Sequence, residues 1–172
     1  MPLDPRNKWT RRFLWATFVG LLGLVSCDLT PSGEQACRGA NNLQAEHEAL
    51  LVCAGWLGFV EANVCAVEYV AVIPAEKKNT KILGRAFCDA DNILVATTGE
   101  RQGFVFPPLP AVEIATTVVH ETAHLVDGCA SGEAPALAAE EAFLADLCAA
   151  VEAGKEGCEG AKGYCANAAL RP

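Results

Sequence analysis

The chain has 172 residues, 52 % of them apolar and 20 % charged, and a formal net charge of −8. That length suits one domain with a sizeable core and is short for two. The acidic surplus repels phosphate backbones and no basic stripe reverses it, which sets nucleic acid aside as a partner.

Arg6, Lys8, Arg11 and Arg12 open the chain with positive charge, and "FLWATFVGLLGLV" (13–25) follows as an apolar run. The run is too short to span a bilayer stably but matches the apolar part of a secretory signal. It ends in Leu24, Val25, Ser26 and Cys27, which resembles the lipobox of bacterial lipoproteins. The resemblance implies cleavage before Cys27, acylation of its thiol, and attachment to a membrane through that lipid. The protein is then expected in the bacterial cell envelope, on a periplasmic or extracellular face. "TRRFL" resembles part of a twin-arginine signal, although the spacing after the pair departs from it. Asp28 resembles the inner-membrane retention signal of some Gram-negative bacteria. The expected organisation is a signal peptide (1–26), the lipidated cysteine with a turn-rich tether (27–42), and a domain (43–172). Without residues 1–26 the chain keeps nine basic and 20 acidic residues, a balance of −11.

Removing Cys27 from the nine cysteines leaves eight, Cys37, Cys53, Cys65, Cys88, Cys129, Cys148, Cys158 and Cys165, an even set that can pair completely. In an oxidising compartment this reads as up to four disulfides, and no CxxC motif points to a zinc knuckle instead.

Helical spacing of Leu43, His47, Leu50, Ala54 and Leu57 predicts a helix over 43–63, weakened in its second half by Gly55 and Gly58. "VEYVAVIP" (67–74) predicts a strand that stops at Pro74. "ILGRAFC" (82–88) and "NILVATTGE" (92–100) predict two more, with a turn at Asp89–Asp91 between them. "FPPLP" (106–110) predicts a stiff connector. A helix is predicted from Ala111 to Gly128 and another from Ala136 to Gly154, separated by "SGEAP" (131–135). The glycine- and cysteine-rich tail from Lys155 is expected to be held by disulfides rather than by regular structure. The order predicts an α+β fold, a small mostly antiparallel sheet with helices on one face.

"HETAH" (120–124) carries the chemistry. On a helix, residues four apart lie one turn apart on one face, so His120 and His124 can bind one metal ion while Glu121 reaches a water on it. Helical phasing places Val112, Ala115, Val119 and Val126 on one side, and His120, His124 and Asp127 on the other. A third ligand is needed. Six residues after the motif stands Ala130 rather than a further histidine, so the following helix is the expected source. Glu140 falls near the centre of an apolar face formed by Leu137, Leu144, Leu147, Cys148 and Val151, with Glu141 nearer its margin. A carboxylate on such a face needs a partner, which favours Glu140 over Glu141.

HExxH followed by a glutamate from the next helix resembles the gluzincin branch of the zincin metallopeptidases, over residues 111 to about 153. The resemblance implies a zincin-like domain binding Zn2+ through His120, His124 and the downstream glutamate, with Glu121 as general base on the zinc-bound water. It implies peptide or protein substrates. The chain departs from the family where an aspartate usually supports a histidine, because Leu144 and Ala145 stand there. Asp127 is a candidate for that supporting role. "NILVATTGE" is a candidate cleft-edge strand for an extended substrate. For stabilising an oxyanion the chain offers His47, Tyr69 and Tyr164 outside the motif, His47 being expected to pack in the first helix. A Cys129–Cys148 bridge would fix the two ligand helices. The protein is expected to be a monomer. The alternative is a zincin-fold lipoprotein that binds zinc or a protein partner in the envelope without hydrolysis.

Overall fold

A computed structural model of the chain describes residues 42–74, 82–101 and 104–168, without the side chains of 99–106 and 168. The expected signal peptide, Cys27, Cys37 and the tether before Asn42 lie outside the described residues.

The first helical stretch is two helices. Helix α1 (Ala45–Ala54) ends at Gly55, whose φ of 81° is the left-handed conformation that glycine adopts without a Cβ clash. The Trp56 amide then donates to the Leu51 carbonyl at 2.7 Å, closing the last turn. Helix α2 (Leu57–Glu61) follows. Strand β1 (Ala66–Val70) is shorter than expected, and β2 (Gly84–Phe87) and β3 (Asn92–Ala96) follow. They form a sheet of order β1-β3-β2, in which β1 pairs with β3 in parallel and β2 with β3 antiparallel. The sheet is therefore mixed rather than mostly antiparallel. Alternation along the buried strand β3 marks which face is inside but not the direction of its neighbours.

The expected strand 92–100 breaks at Thr97. Its second half becomes β4 (Thr98–Arg101), paired antiparallel with β5 (Phe104–Pro108) in a separate two-stranded sheet. The prolines of the expected connector thus end an edge strand, a position that tolerates the missing amide.

Helix α3 (Ala111–Asp127) and helix α4 (Ala134–Glu152) match their predicted spans closely. Helix α3 is more deeply buried than a one-sided amphipathic helix. It packs on β2 and β3 on one side and on α1 and α4 on the other. Ile114, Ala115, Val118 and Val119 join Leu51, Val67, Ile93 and Phe143 in one core. Thr116, Thr117 and Thr122 are buried with them, each hydroxyl donating to the carbonyl four residues earlier at 2.7 to 2.9 Å, which satisfies it internally. Leu137, assigned to the apolar face of α4 by phase, is 50 % exposed, whereas Phe143 and Leu147 are fully buried.

The tail is more regular than expected. A 3-10 turn (Glu159–Ala161) leads into helix α5 (Lys162–Ala168). Disulfides join Cys53 to Cys158, Cys88 to Cys129, and Cys148 to Cys165, and Cys65 is disulfide-bonded as well. The expected Cys129–Cys148 bridge does not form. Cys129 instead ties the end of α3 to the sheet, and Cys148 ties α4 to α5. No helix among the described residues is long and apolar enough to cross a membrane.

Candidate metal centre

Helix α3 presents His120 and His124 on the part of its surface that neither sheet nor core covers. The two rings meet edge to face, with centroids 5.0 Å apart. Four to five turns of buried helix hold them, so their backbone positions are fixed by the core rather than by a loop.

The carboxylate that joins them is Glu133, at the N-cap of α4. An N-cap side chain commonly turns back onto its own helix, but that of Glu133 makes no cap hydrogen bond. It reaches across instead. Its Oε2 stands 3.1 Å from Nε2 of His120 and 3.5 Å from Nε2 of His124. His120, His124 and Glu133 each offer one ligand atom, all within 4.8 Å of one another, so the group could hold a metal ion.

Glu140 occupies a different place. Its Oε2 lies 3.0 Å from Nδ1 of His120, the ring nitrogen opposite the one that faces Glu133. A carboxylate there fixes the imidazole's orientation and favours the tautomer whose Nε2 lone pair is free for an ion. Phase analysis found the residue but not the atom it touches. Glu141, one residue on, is exposed and is not among the residues of the cleft. Asp127, expected to support a histidine, is exposed at the last turn of α3. It borders a separate cavity with Trp56, Phe59 and Val126, so Glu140 fills the supporting position instead.

Glu121 is 7 % exposed and lies under strand β2. The approach is close enough to require glycine at position 84. A Cβ there would fall closer than 3.0 Å to Oε1 and Cγ of Glu121 and to Cγ2 of Thr117. Burial pushes the Glu121 carboxyl up to about 7. The adjacent His120 and a hydrogen bond from the Ala86 backbone oppose that rise, while the charges of Glu133 and Glu140 add to it. A carboxyl that exchanges its proton near neutrality is suited to general acid–base work.

These side chains open on a cleft of about 470 Å³, lined by Ile82, Leu83 and the backbone side of β2 opposite the histidines. The Ala96 amide donates to the Leu83 carbonyl, so residues 83, 85 and 87 turn their backbone groups toward β3. Gly84 and Ala86 therefore turn theirs outward, to the edge of the sheet, where the Ala86 backbone meets the Glu121 carboxyl. β3 is the central strand, paired on both sides, so the edge position that the sequence suggested for it belongs to β2. His47 and Tyr69 pair with each other, Nδ1 to hydroxyl at 3.2 Å, and neither lines this cleft, nor does Tyr164.

Sequence reasoning missed Glu133, Gly84 and Thr117. Glu133 carried one usable signal, an acidic residue just before "AP" at a helix start, in a link of six residues (128–133) that returns the chain beside the motif.

The fold and the site together define a small, disulfide-bonded α+β domain with a His–His–Glu group able to hold a metal ion. No protein-family model, curated protein or solved structure matches the chain.

Proposed function

We propose that this protein is a zinc-dependent metallopeptidase, exported and anchored to the cell envelope by a lipid on Cys27. One observation carries the reading: Glu133 converges on the Nε2 atoms of both motif histidines at the mouth of a cleft that also contains the buried Glu121. Two imidazole nitrogens and one carboxylate oxygen are the donor set of a catalytic zinc that keeps a position open. At zinc bond lengths of about 2.0–2.1 Å, tetrahedral ligand atoms lie roughly 3.3 Å apart. The separations of 3.1 and 3.5 Å around Glu133 bracket that value, and all three ligand atoms lie within 4.8 Å of one another, which supports the reading.

When bound, zinc supplies Lewis acidity for a substrate carbonyl and makes a water easier to deprotonate. His120, His124 and Glu133 would hold it, and Glu140 orients His120 through Nδ1. Glu121 accepts the proton of the attacking water on its carboxylate and delivers it to the leaving amine. The outward amide and carbonyl of Gly84 on β2 suit an extended peptide, which would add as a further strand across the cleft. Ile82 and Leu83 favour apolar side chains beside it.

A second reading, a non-catalytic zinc- or protein-binding lipoprotein, draws support from the hydrogen bond between the Glu121 carboxyl and the Ala86 backbone, which gives Glu121 a structural partner. Glu121→Gln separates the two. The peptidase loses hydrolysis of a quenched fluorescent peptide library by at least about a hundredfold while keeping its zinc. A binding module shows no hydrolysis in either form.

A further inference from the structure

The three disulfides with both partners described are not equivalent. Cys53 and Cys158 are fully buried, and Cys148 and Cys165 lie between α4 and α5, away from the cleft. Cys88–Cys129 is at the cleft itself. Cys129 is exposed and lines it, and Cys88 directly follows the edge strand β2.

Cys129 also begins the segment that carries Glu133. Residues 129–134 are all exposed, and Gly128 and Gly132 have positive φ, 89° and 78°. Ser131 bonds only to Gly128, within the segment. Apart from the reach of Glu133 to the histidines and the start of α4, where the Glu133 carbonyl accepts the Leu137 amide at 2.9 Å, the segment's hydrogen bonds to the rest of the domain among the described residues are at the disulfide. The Cys129 amide donates to Sγ of Cys88 at 3.1 Å, and Sγ of Cys129 lies 3.9 Å from the Ala86 carbonyl. The exposed link 129–132, between the end of α3 and the N-cap of α4, has little else to set its path once the cross-link opens, and the Glu133 side chain leaves from the end of that link.

We infer that Cys88–Cys129 is a redox-controlled latch on the metal centre: oxidised, it holds Glu133 within reach of His120 and His124, and reduced, it releases Glu133 and with it the metal. The inference rests on the metal reading given above. A dithiol reductant opens the latch. Its thiolate attacks the exposed Cys129 sulfur, forming a mixed disulfide and expelling Cys88 as a thiolate. Its second thiolate then closes the reductant's own disulfide and expels Cys129. Two electrons and two protons have moved from the dithiol to the cysteine pair, and a disulfide oxidant reverses each step. Linkage makes the effect reciprocal, so bound metal resists reduction. Each tenfold gap in metal affinity between the two forms lowers the pair's potential by about 30 mV. Made in a reducing compartment, the chain would thus assemble its metal centre only on meeting an oxidant.

The test measures zinc affinity on the full chain in detergent micelles, by competition with a chromophoric chelator. The samples are the oxidised protein, the protein treated with a phosphine until thiol mapping shows Cys88 and Cys129 free, a Cys88→Ala, Cys129→Ala variant, and a Cys148→Ala, Cys165→Ala control. Circular dichroism checks that each is folded. The latch predicts zinc binding weaker by about tenfold or more in the reduced protein and the first variant, and unchanged in the control. Wild-type affinity in the first variant, equal losses in both variants, or reduced protein that binds as tightly as oxidised would overturn it. If the oxidised protein binds no zinc, the metal reading fails first and the latch with it.

Discussion

Gly84→Ala puts a methyl group where β2 rests on helix α3, and its cost can be worked from the contacts it would make. The new Cβ would lie closer than 3.0 Å to two atoms of Glu121 and to Cγ2 of Thr117. Glu121 could swing part of the way into the cleft, but Thr117 cannot. It is buried, and its hydroxyl is committed to the Glu113 carbonyl at 2.9 Å. Strand and helix must therefore separate, and overpacking of this kind costs about 1–3 kcal/mol. For a domain of roughly 130 residues, with an unfolding entropy near 2.1 cal/mol/K per residue, that corresponds to a fall in Tm of about 4–11 °C. Thermal unfolding followed by circular dichroism, non-reducing and with a chelator present so that metal does not contribute, reads it directly. Gly58→Ala, in the short helix α2 where a Cβ meets nothing within 4 Å, is the matched control and should not lower Tm. A Gly84→Ala protein that melts within about 1 °C of wild type would show that β2 does not press on Glu121 as described.

Glu140→Gln keeps the size of the side chain but removes the charge on Nδ1 of His120. Zinc affinity should fall by about 10- to 100-fold, while Glu141→Gln leaves it unchanged in the same chelator competition. His47 gives the fold a pH dependence of its own. It is fully buried, its Nε2 lies 3.4 Å from Glu46 without hydrogen-bond geometry, and desolvation lowers its pKa, with Glu46 opposing the shift. The unfolded chain then takes up a proton that the folded chain refuses, so this contribution is complete above about pH 6.5 and is lost as pH falls toward the lowered folded value. Urea unfolding between pH 5 and 7.5 should show metal-free wild type losing stability toward acid more steeply than His47→Gln, and equal slopes would refute the assignment. Phe143→Ala empties a fully buried site that stacks edge-on against Trp56, and should cost about 3–5 kcal/mol by denaturant titration.

The legible parts of this structure are those specified by local pattern. Apolar spacing over 111–128 and 136–154 predicted two helices because each buries a long stripe, and HExxH is readable because both histidines lie on one such helix. Gly128 marked a helix end for the same local reason, whereas Gly55, read only as weakening one long helix, ends α1. What depends on which segments meet was not legible. Parallel pairing of β1 with β3 leaves no trace in either strand's alternation, and the disulfide partners are set by distant segments, so Cys129 found Cys88 rather than Cys148 on the next helix. Glu133 lies in a short link with no periodicity to phase, whereas Glu140 sits in a helix. Phase analysis therefore found Glu140, the carboxylate beside Nδ1 of His120, and not Glu133, the one beside the Nε2 atoms of both histidines. Gly84 drew no reading from the sequence, because only the packed structure reveals the carboxyl beneath it.

Glu133 must complete a metal centre with the two histidines if the protein is to work as proposed. The most direct measurement is zinc content and affinity of the oxidised full chain in micelles, for wild type, Glu133→Ala and Glu141→Ala. The account predicts about one zinc per chain in wild type and in Glu141→Ala, and affinity reduced by at least about a hundredfold in Glu133→Ala. Zinc held equally well by all three, or by none, would contradict it.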